Sequence, residues 1–463
     1  MILKNQHIHF IGIGGIGMSG IAWLCLKQGC KVTGSDVKPT RITQRLEKEG
    51  VGVYIGHKKE NLGEPSCPAG RPDLVVYSSA ITFQNPELRT AVYSGIPTWR
   101  RGEFLSELMK GKTGIAVSGS HGKTTTSSLI TTLLYELGYE PSGMLGAIVD
   151  KFNGSALLGK GKYFVTEADE SDGSFLSLSP AYAVITNIDA EHLDFYSDMD
   201  QIMQAYLEFA NNVSANGALI CCGDDENIRK IIPNVKRKVL TYGFHPSNIL
   251  GADKAKFNAA RSEFICSYKT RRLGKVKLNL SGEHNILNAM ATILLGLDIG
   301  IKFDDIKNAI EKYRGAERRF QIKADIDDIL IIDDYAHHPT EIKATLKACL
   351  CFGKRKVIAV FQPHRYTRTK FLKKEFARSF ADVDFLILTD IYPASEQPIY
   401  GVTTKNIYDE IIKLRKKNVT YLPKEDICRH LLKIVRSGDL VIIMGAGDIN
   451  RLADELVEKL KSL

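Results

Sequence analysis

The stretch GSHGKTT at positions 119–125 carries the glycines and polar side chains of a phosphate-binding loop. It follows the apolar run IAVS and precedes TSSLITTLL, so the pattern predicts a strand, a glycine turn and a helix. Successive backbone N–H groups in such a turn can surround phosphate oxygens at the positive end of the helix. Lys123 would then reach the terminal phosphates, and the Thr124 hydroxyl would bind Mg²⁺. Val117 stands where the longer general pattern has its first glycine, so this loop is a shorter one that closes on Gly119.

Two acidic clusters follow apolar runs farther along the chain, VTEADESD at 165–172 and ITNIDAEHLD at 185–194. The ends of parallel strands meet at one edge of a sheet, and carboxylates there suit a hard cation such as Mg²⁺. An imidazole suits Zn²⁺ better, so the histidine alone is weak evidence, and some of the acids are expected to cap helices instead. The residues concerned are Glu167, Asp169, Glu170, Asp172, Asp189, Glu191, His192 and Asp194.

A second glycine turn, GIGGIG at 12–17, has the spacing of a dinucleotide-binding fingerprint. A strand that turns tightly into a helix there can hold a diphosphate at the helix N-terminus. Asp36 lies 19 residues after Gly17, close to where an NAD enzyme places its ribose-binding acid. An NAD-dependent oxidoreductase is therefore one alternative, but hydride transfer has no use for GKTT with acids spaced for magnesium. A non-catalytic nucleotide-binding regulator is another, and the many acids, histidines and arginines after strands argue against it.

The elements that must position these groups repeat one order three times: a short apolar strand, a glycine or polar turn, and a helix. Unbroken apolar runs indicate strands buried on both faces, and hence parallel sheets covered by helices. A chain of 463 residues is long enough for about three domains. We therefore predict an α/β protein with three largely parallel sheets in domains 1–109, 110–317 and 318–463, Rossmann-like, P-loop-type and Rossmann-like in turn. The charged, alternating texture of 240–282 predicts antiparallel strands at the edge of the middle domain.

Composition restricts the class of protein further. Hydrophobic residues make up 44% and charged residues 25%, which is ordinary for a soluble globular protein. We see no apolar run of about 18 residues and no leader pattern, which predicts a cytoplasmic protein with no membrane insertion. The nine scattered cysteines include no CxxC, which indicates reduced thiols. The net charge of +9 comes from short basic runs, which predicts solvated faces and anionic small substrates and no nucleic acid.

Six motifs together resemble those of the Mur ligases. In chain order they are GSHGKTT, TEADESDGSF, TNIDAEHLDFY, GEHNILNA, GAERRFQ and DDYAHHPTEI. Two more, IHFIGIGGIGMSGIA and QPHRYTRT, resemble the branch of the family that joins L-alanine to the lactyl carboxylate of UDP-N-acetylmuramate. The resemblance covers the whole chain and implies an ATP- and Mg²⁺-dependent amide ligase of peptidoglycan precursor synthesis. It further implies an acyl-phosphate intermediate, release of ADP and phosphate, and a monomer or weak homodimer.

The resemblance also implies residue roles. For ATP they are Gly119, Ser120, His121, Gly122, Lys123, Thr124, Thr125, His284, Asn285, Asn288, Arg319 and Asp334. For Mg²⁺ they are Thr124, Glu167 and His192. For the UDP-sugar they are Gly14, Gly15, Ile16, Gly17, Met18, Ser19, Asp36, His57, Ser78, Ser79 and Arg100, with Arg365 and Arg368 near the muramoyl group or the alanine carboxylate. Lys123, Arg319, His337 and His338 would act in catalysis.

The choice between His337 and His338 stays open from sequence. Either imidazole could accept the proton of the alanine amine or orient that amine, because imidazole titrates near neutrality. A structural role before Pro339 explains the pair equally well. The alternative activity within the family is a recycling ligase that attaches a preformed peptide to the same sugar nucleotide. Its glycine turn departs from GIGGIGMSG, which this chain keeps intact.

Overall fold

The computed structural model describes residues 4–63, 70–192, 195–394, 396–414 and 418–462. Asp194, one of the predicted acids, lies outside these residues. The chain folds into three sheets and divides into two compact units. The first unit holds the chain up to Gly251 together with Ser267–Arg271 and Leu287–Ile310. The second holds Ala252–Cys266, Arg272–Ile286 and the chain from Glu311 onward.

The N-terminal sheet is doubly wound. Its elements are β1 (His7–Ile11), α1 (Ile16–Lys27), β2 (Lys31–Asp36), α2 (Arg41–Lys48), β3 (Gly52–Ile55), β4 (Leu74–Tyr77), α3 (Pro86–Tyr93), β5 (Thr98–Arg100) and α4 (Arg101–Met109). The strands are parallel in the order β3-β2-β1-β4-β5. The strand order reverses beside β1, so the glycine turn after β1 lies at the crevice where such sheets bind ligands.

The central sheet carries the phosphate loop. Its elements are β6 (Thr113–Ser118), α5 (Lys123–Glu136), β7 (Ser142–Val149), β8 (Gly154–Leu157), β9 (Tyr163–Glu167), β10 (Tyr182–Ile185), α6 (Met199–Asn211), β11 (Ala218–Cys222), α7 (Glu226–Ile231), β12 (Lys238–Gly243), β13 (Leu250–Asn258), β14 (Arg261–Tyr268), β15 (Arg271–Leu278), α8 (Glu283–Asp298) and α9 (Phe303–Ile310). The order is β15-β14-β13-β12-β11-β10-β6-β9-β7-β8. Parallel pairing runs from β13 to β7, and β8 is antiparallel to β7. The acidic clusters therefore follow β9 and β10, the two neighbours of the strand that enters the phosphate loop.

The C-terminal sheet is covered by helices on both faces. Its elements are β16 (Gln321–Ile326), β17 (Ile329–Asp334), α10 (Pro339–Cys349), β18 (Val357–Phe361), α11 (Tyr366–Ser379), β19 (Phe385–Leu388), α12 (Lys405–Lys413), β20 (Val419–Tyr421), α13 (Lys424–Ile434), β21 (Leu440–Met444) and α14 (Asn450–Lys461). The order is β16-β17-β21-β18-β19-β20, parallel except for β16. Successive residues of β17 belong to different cores: Ile332 packs with side chains of α10 and α11, and Ile331 packs with those of α13 and α14.

These sheets confirm the predicted α/β class. The segment 240–282 forms strands, as predicted, but β13 pairs with β12 in parallel through Leu250 and Gly251, so this pairing is not the predicted antiparallel one. The predicted domain boundaries fall between sheets and remain predictions. Across the described ranges, none of the helices combines the length and apolar character that a membrane crossing requires.

Candidate active site

The phosphate loop joins β6 to α5, as its sequence predicts. Gly119 has φ +131° and Gly122 has φ +83°, backbone conformations that favour glycine. A Cβ on Gly119 would overlap Oγ1 of Thr186, and one on Gly122 would lie 2.5 Å from Oδ1 of Asn288. Both glycines are therefore required by the backbone and by close neighbours. The contact also brings Asn288, predicted to bind ATP, against the loop.

Lys123 is held across this loop by acceptors. Its Nζ donates to the carbonyl oxygen of Gly119 at 2.6 Å and to Oε1 of Glu170 at 2.7 Å. Burial by itself would lower the pKa of Lys123, but the carboxylates of Glu170 and Asp169 outweigh burial and raise it. The ammonium group is therefore charged, and it is positioned where phosphate oxygens could replace its present partners.

A compact group of side chains that could bind a metal ion surrounds Glu170. Ligand atoms of Glu170, Glu191 and His192 lie within 4.8 Å of one another. Oε1 of Glu170 is 3.5 Å from Nε2 of His192, and Oε2 of Glu170 is buried without a hydrogen-bond partner among the described residues. Burial acts to lower the pKa of His192, but Glu170 and Glu191 outweigh it and raise the pKa. A buried carboxylate oxygen that lacks a donor fits a divalent cation, since hard cations prefer oxygen ligands.

Glu167 lies in a different environment from His192. Its Oε1 accepts from the N–H of Gly146 at 2.6 Å and from Oγ of Ser127 at 3.2 Å. Oγ of Ser127 also lies 3.1 Å from the carbonyl oxygen of Thr124, so these two acceptors compete for its single hydroxyl proton. The predicted metal residues thus separate: Glu167 is linked through Ser127 to the backbone of Thr124, whereas His192 lies with Glu170 and Glu191. Sequence reasoning counted Glu170 and Glu191 among the acids but did not assign them to the metal.

The polar residues of the loop are fixed by the end of β10. Nε2 of His121 lies 3.1 Å from Oδ2 of Asp189, and the His121 N–H donates to Oδ1 of Asn187 at 2.9 Å. Oγ of Ser120 accepts from the Asp189 N–H at 2.8 Å. These hydrogen bonds hold the loop in its shape, which favours phosphate binding because groups already held in place lose little ordering entropy on binding.

The N-terminal glycine turn is organised by Asp36. Oδ2 of Asp36 accepts from the N–H of Gly14 at 2.8 Å, and Oδ1 accepts from Val37 N–H at 2.8 Å. Gly15 is the N-cap residue of α1 and makes no side-chain cap, and the first turn of α1 has no acidic residue. The carboxylate of Asp36 therefore fixes the turn, and its contact with a nucleotide remains a prediction. Ser78 lies beside the turn, since a Cβ on Gly12 would be 3.2 Å from its Cβ.

Sequence reasoning missed Arg101 beside this turn. Nη2 of Arg101 is 3.0 Å from Oδ2 of Asp169, and a Cβ on Gly17 would lie 3.1 Å from Nη1 of Arg101. Arg101 thus lies between the glycine turn and the acidic cluster that follows β9. Its neighbour Arg100, which was predicted to contact the sugar nucleotide, donates from Nε to the Tyr77 hydroxyl at 3.4 Å. Nothing in the local pattern RR distinguishes the two arginines.

In the second unit, Asp334 ties the segment GAERRFQ to the loop after β17. Its Oδ1 accepts from Ala336 N–H at 2.8 Å, and its Oδ2 accepts from Phe320 N–H and from Oγ1 of Thr345, each at 3.1 Å. Burial raises the pKa of Asp334 to about 6. Both oxygens accept from the protein, so Asp334 shapes the loop that carries the histidine pair, and its predicted contact with ATP remains a prediction.

Two adjacent arginines enclose Tyr335. The Cζ atoms of Arg318 and Arg319 each lie 5.0 Å from the centre of its ring. Arg318, which sequence reasoning did not single out, also donates from Nη1 to the carbonyl oxygen of Gly447 at 3.0 Å. Arg318 therefore anchors the segment, and Arg319 is the arginine of the pair that is predicted to reach ATP.

The histidine pair has two distinct environments. Nδ1 of His337 is 3.0 Å from the Tyr335 carbonyl oxygen and 3.1 Å from Oε2 of Glu341, and both of these atoms only accept. Nδ1 of His337 therefore carries a proton, and in the neutral ring Nε2 is the basic nitrogen. His338 is buried and caps α10, accepting from Thr340 N–H at its Nδ1. This geometry favours His337 for proton transfer and His338 for structure.

The motif QPHRYTRT lies next to the histidine pair. The rings of His337 and His364 are 5.5 Å apart, and His364 stacks on Tyr392. Nη1 of Arg368 lies 3.1 Å from Nδ1 of His364, and Arg365 is 4.0 Å from Glu396. The fold therefore brings Arg368 and His337 into one neighbourhood through His364, a residue that sequence reasoning did not assign.

His284, Asn285 and Asn288, which are predicted to bind ATP, lie in the first two turns of α8. Burial lowers the pKa of His284 to about 4, so its imidazole is neutral at pH 7. Nδ2 of Asn285 donates to the carbonyl oxygen of Ser281 at 2.7 Å. Nearer the phosphate loop, Oδ1 of Asn288 accepts from Oγ1 of Thr126 at 3.2 Å. Contacts of these side chains with ATP remain predictions.

We expect the carboxyl group of Asp333 to contribute to the pH dependence of the unfolding free energy of the second unit. Burial raises the pKa of Asp333 to about 6, against the opposing effect of Arg318. A raised carboxyl pKa means that the folded state holds a proton that the unfolded state has lost, so stability falls as pH rises from about 4 to 6. Asp333→Asn should reduce the slope of the thermal unfolding midpoint against pH in this window. The exposed Asp327→Asn serves as the control, and an equal slope in both variants would contradict the assignment.

Two glycine turns that each open a helix, with a half-buried lysine and acids that could bind a metal ion after one of them, define a class of phosphate-loop α/β enzymes. Family models match along almost the whole chain: the Mur ligase family catalytic domain at 7–113, the Mur ligase middle domain at 117–296, and the Mur ligase glutamate ligase domain at 318–447. The chain belongs to the Mur ligase family, and the resemblance drawn from its motifs is confirmed.

Individual members of the family show which of its enzymes this chain is similar to in sequence and structure. The chain is 46% identical over 459 residues, covering 99% of both chains, to the UDP-N-acetylmuramate–L-alanine ligase of Geotalea daltonii. The structure is similar to the UDP-N-acetylmuramate–alanine ligase MurC of Thermotoga maritima, with a TM-score of 0.84, 28% identity, and coverage of 99% of this chain and 100% of that one. A murein peptide ligase of Psychrobacter arcticus shares the fold with a TM-score of 0.74, 24% identity and 99% coverage of both chains.

Proposed function

We propose that this protein joins L-alanine to the lactyl carboxylate of UDP-N-acetylmuramate at the expense of ATP, in peptidoglycan precursor synthesis. The observation that carries the phosphate chemistry is the charged Lys123 held in the glycine loop beside Glu170, Glu191 and His192. Similarity to L-alanine ligases over the full chain supports the choice of amino acid. The proposed parts are 1–109 for the UDP-sugar, 110–317 for ATP, and 318–463 for the amino acid.

The reaction needs activation because a carboxylate does not condense with an amine unaided. In the proposed sequence the lactyl carboxylate attacks the γ-phosphorus of ATP, ADP leaves, and an acyl phosphate forms. Two anions approach each other in this step, so the site must supply fixed positive charge. Lys123 in the loop and Arg319 after α9 are the proposed sources of that charge.

Magnesium is part of the proposal. Thr124 and Glu167 would hold one ion, and His192 would hold another with Glu170 and Glu191 beside it. The buried Glu170 oxygen, which has no donor in the part of the chain that the structure describes, supports this assignment. When bound, magnesium would neutralise phosphate charge and orient the phosphoryl group for in-line transfer.

The second half-reaction forms the amide. The amine of L-alanine attacks the acyl carbon, and the tetrahedral species expels phosphate. The attacking amine must lose a proton, and Nε2 of His337 is the proposed acceptor. Glu341 and the Tyr335 carbonyl hold the opposite nitrogen of that ring in its protonated form. This is the arrangement that aims an imidazole base in many enzymes.

Purified protein with ATP and UDP-N-acetylmuramate should release phosphate in an amount that matches the L-alanine added. The expected result with L-alanyl-γ-D-glutamyl-diaminopimelate, the substrate of a recycling ligase, is no release above background. Chelation of divalent cations should stop the reaction, and added Mg²⁺ should restore it. Turnover with the tripeptide in place of L-alanine would replace the proposed function with the recycling alternative. Oxidation of NADH without any release of phosphate would instead support the alternative that the protein is an oxidoreductase.

We further propose a cytoplasmic location and a monomer or weak homodimer. Among the described residues no disulfide joins the cysteines, which agrees with a reducing compartment.

A further inference from the structure

A buried carboxylate in the N-terminal part of the chain takes no part in the phosphate chemistry above. Glu87 stands in the first turn of α3 and is 0% exposed. His9 on β1 and Ser35 on β2 are equally buried beside it, and His57 follows β3. Burying a carboxylate is strongly unfavourable unless donors or cations compensate it. The partners of Glu87 therefore indicate what the group does.

The positions of the protons in this cluster can be deduced from which atoms can only accept hydrogen bonds. Oγ of Ser35 lies 2.5 Å from Oε2 of Glu87 and 2.9 Å from Nδ1 of His57. An ionised carboxylate only accepts, so the single hydroxyl proton of Ser35 points at Glu87. The Ser35 oxygen must then accept from His57, and Nδ1 of His57 carries a proton. The same Nδ1 is 3.4 Å from Oε2 of Glu87.

Further donors keep Glu87 ionised. The side-chain amide of Asn61 donates to Oε1, and Nε2 of His9 lies 3.6 Å from Oε2. Nδ1 of His9 is 2.9 Å from Oγ1 of Thr33, which in turn is 2.8 Å from Nε2 of His7. Burial acts to raise the pKa of Glu87, but the neighbouring His57, His9 and Ser35 outweigh it and lower the pKa.

His57 is the member of the cluster that reaches solvent. Its side chain is 15% exposed, whereas those of Glu87 and His9 are fully buried. The bond to Glu87 raises the pKa of His57 against the effect of burial, and the nearby carboxylate of Asp36 adds to the rise. The residue before it, Gly56, donates its N–H to the Asp36 carbonyl at 2.8 Å. His57 therefore sits at the carboxyl ends of β2 and β3, close to the glycine turn, where open sheets bind ligands.

We propose that Glu87 is a positioning residue of the nucleotide site: it fixes Nδ1 of His57, directly and through Ser35, so that the imidazolium donates its Nε2–H to an acceptor oxygen of the nucleotide. The inference rests on the proposed function in one respect, namely that this end of the chain binds the UDP portion of the substrate. It adds that the affinity of this site depends on pH through a carboxylate that touches no substrate.

Binding of UDP-N-acetylmuramate to the full chain without ATP tests the inference, because the phosphodiester groups of this probe do not titrate near neutral pH. Calorimetry of the wild-type protein should show affinity that is highest at low pH and falls as pH rises through the pKa of His57. In Glu87→Gln that fall should move to lower pH, and Kd at pH 7.5 should rise about tenfold, the value of one charge-assisted hydrogen bond. His57→Asn should flatten the profile. The exposed Glu47→Gln on α2 is the matched control and should behave as wild type.

NMR spectroscopy can distinguish a loss of His57 positioning from a general disruption of the fold. The His57 ring, labelled with ¹³C and ¹⁵N and assigned with His57→Asn, should titrate above the ordinary 6.5 in the wild type and lower in Glu87→Gln. Steady-state rates should show a raised KM for the sugar nucleotide with kcat and the KM for ATP little changed. Should Glu87→Gln fail to fold, Ser35→Ala removes the bridging hydroxyl alone and should give an intermediate shift.

The outcomes are distinct. Equal weakening at every pH, or an unchanged His57 titration in Glu87→Gln, would overturn the inference and leave Glu87 a structural residue. If Glu87→Gln weakens binding of both UDP-N-acetylmuramate and uridine, His57 donates its hydrogen bond to the uracil base. If it weakens binding of UDP-N-acetylmuramate alone, His57 donates to the diphosphate. Both results support the inference. A wild-type chain that binds no sugar nucleotide would remove the proposed function and this inference together, whereas binding indifferent to Glu87 removes only the inference.

Discussion

Replacing Lys123 with alanine is expected to reduce kcat by about 10³-fold or more, because a fixed positive charge beside the transferred phosphoryl group disappears. The ammonium group is the one that Glu170 and the Gly119 carbonyl hold across the loop. Phosphate release dependent on L-alanine measures the loss. Circular dichroism and the thermal unfolding midpoint measure whether the fold survives.

The stability of this variant needs its own control. Removing the lysine leaves Glu170 as a buried carboxylate, and breaking a buried pair on one side costs about 3–5 kcal/mol. The double variant Lys123→Ala, Glu170→Gln removes both charges, so it should recover stability while remaining inactive. The exposed Lys160→Ala in the same unit should match wild type in both measurements. Substantial turnover by the folded double variant would refute the assignment of the ATP site.

His337→Ala is expected to lower kcat by about 10²- to 10⁴-fold, the usual contribution of a positioned general base. His338→Ala should instead lose the N-cap of α10, which costs about 1 kcal/mol of stability, and keep most of its turnover. The difference follows from the hydrogen bonds: Nδ1 of His337 donates to Tyr335 and Glu341, whereas Nδ1 of His338 accepts from Thr340. Steady-state kinetics and thermal unfolding of the two variants make the comparison.

Trapping the acyl phosphate shows which half-reaction is affected. Hydroxylamine is a weakly basic nucleophile that needs little help from a general base, so His337→Ala should still form hydroxamate from UDP-N-acetylmuramate and ATP. Glu341→Gln should weaken turnover in the same direction, because Glu341 fixes the protonated nitrogen of His337. A larger loss of turnover in His338→Ala than in His337→Ala would reverse the proposed roles.

Local sequence was sufficient for the elements and for both glycine turns. The run KVTGSD is β2 from end to end, and the apolar run in LVIIMGAGD forms β21, a strand buried throughout. The turn at Gly119 and Gly122 adopts the positive φ values that glycine permits. These features depend on backbone freedom and on short apolar runs, and each is complete within about ten neighbouring positions.

The hydrogen-bond partners of the functional side chains could not be predicted from local sequence. Lys123 meets Glu170 across 47 positions, and Gly14 meets Asp36 across 22. The sequence offered several acids after β9 and gave no reason to prefer Glu170 over Glu167 as the partner of the lysine. Two arginines in a row likewise gave no reason to select Arg101.

The sequence by itself determined the family, the α/β class, the position of the phosphate loop and the identity of the motifs, because backbone conformation and hydrophobic patterning are written in adjacent residues. Only the tertiary structure decided which carboxylate holds Lys123, which histidine has a basic nitrogen available, and that Glu87 lies beneath His57. The physical reason is the order of the strands. Pairing β2 beside β1 and β9 beside β6 brings distant residues to one edge of a sheet, and hydrogen-bond geometry over about 3 Å then selects among chemically equivalent side chains.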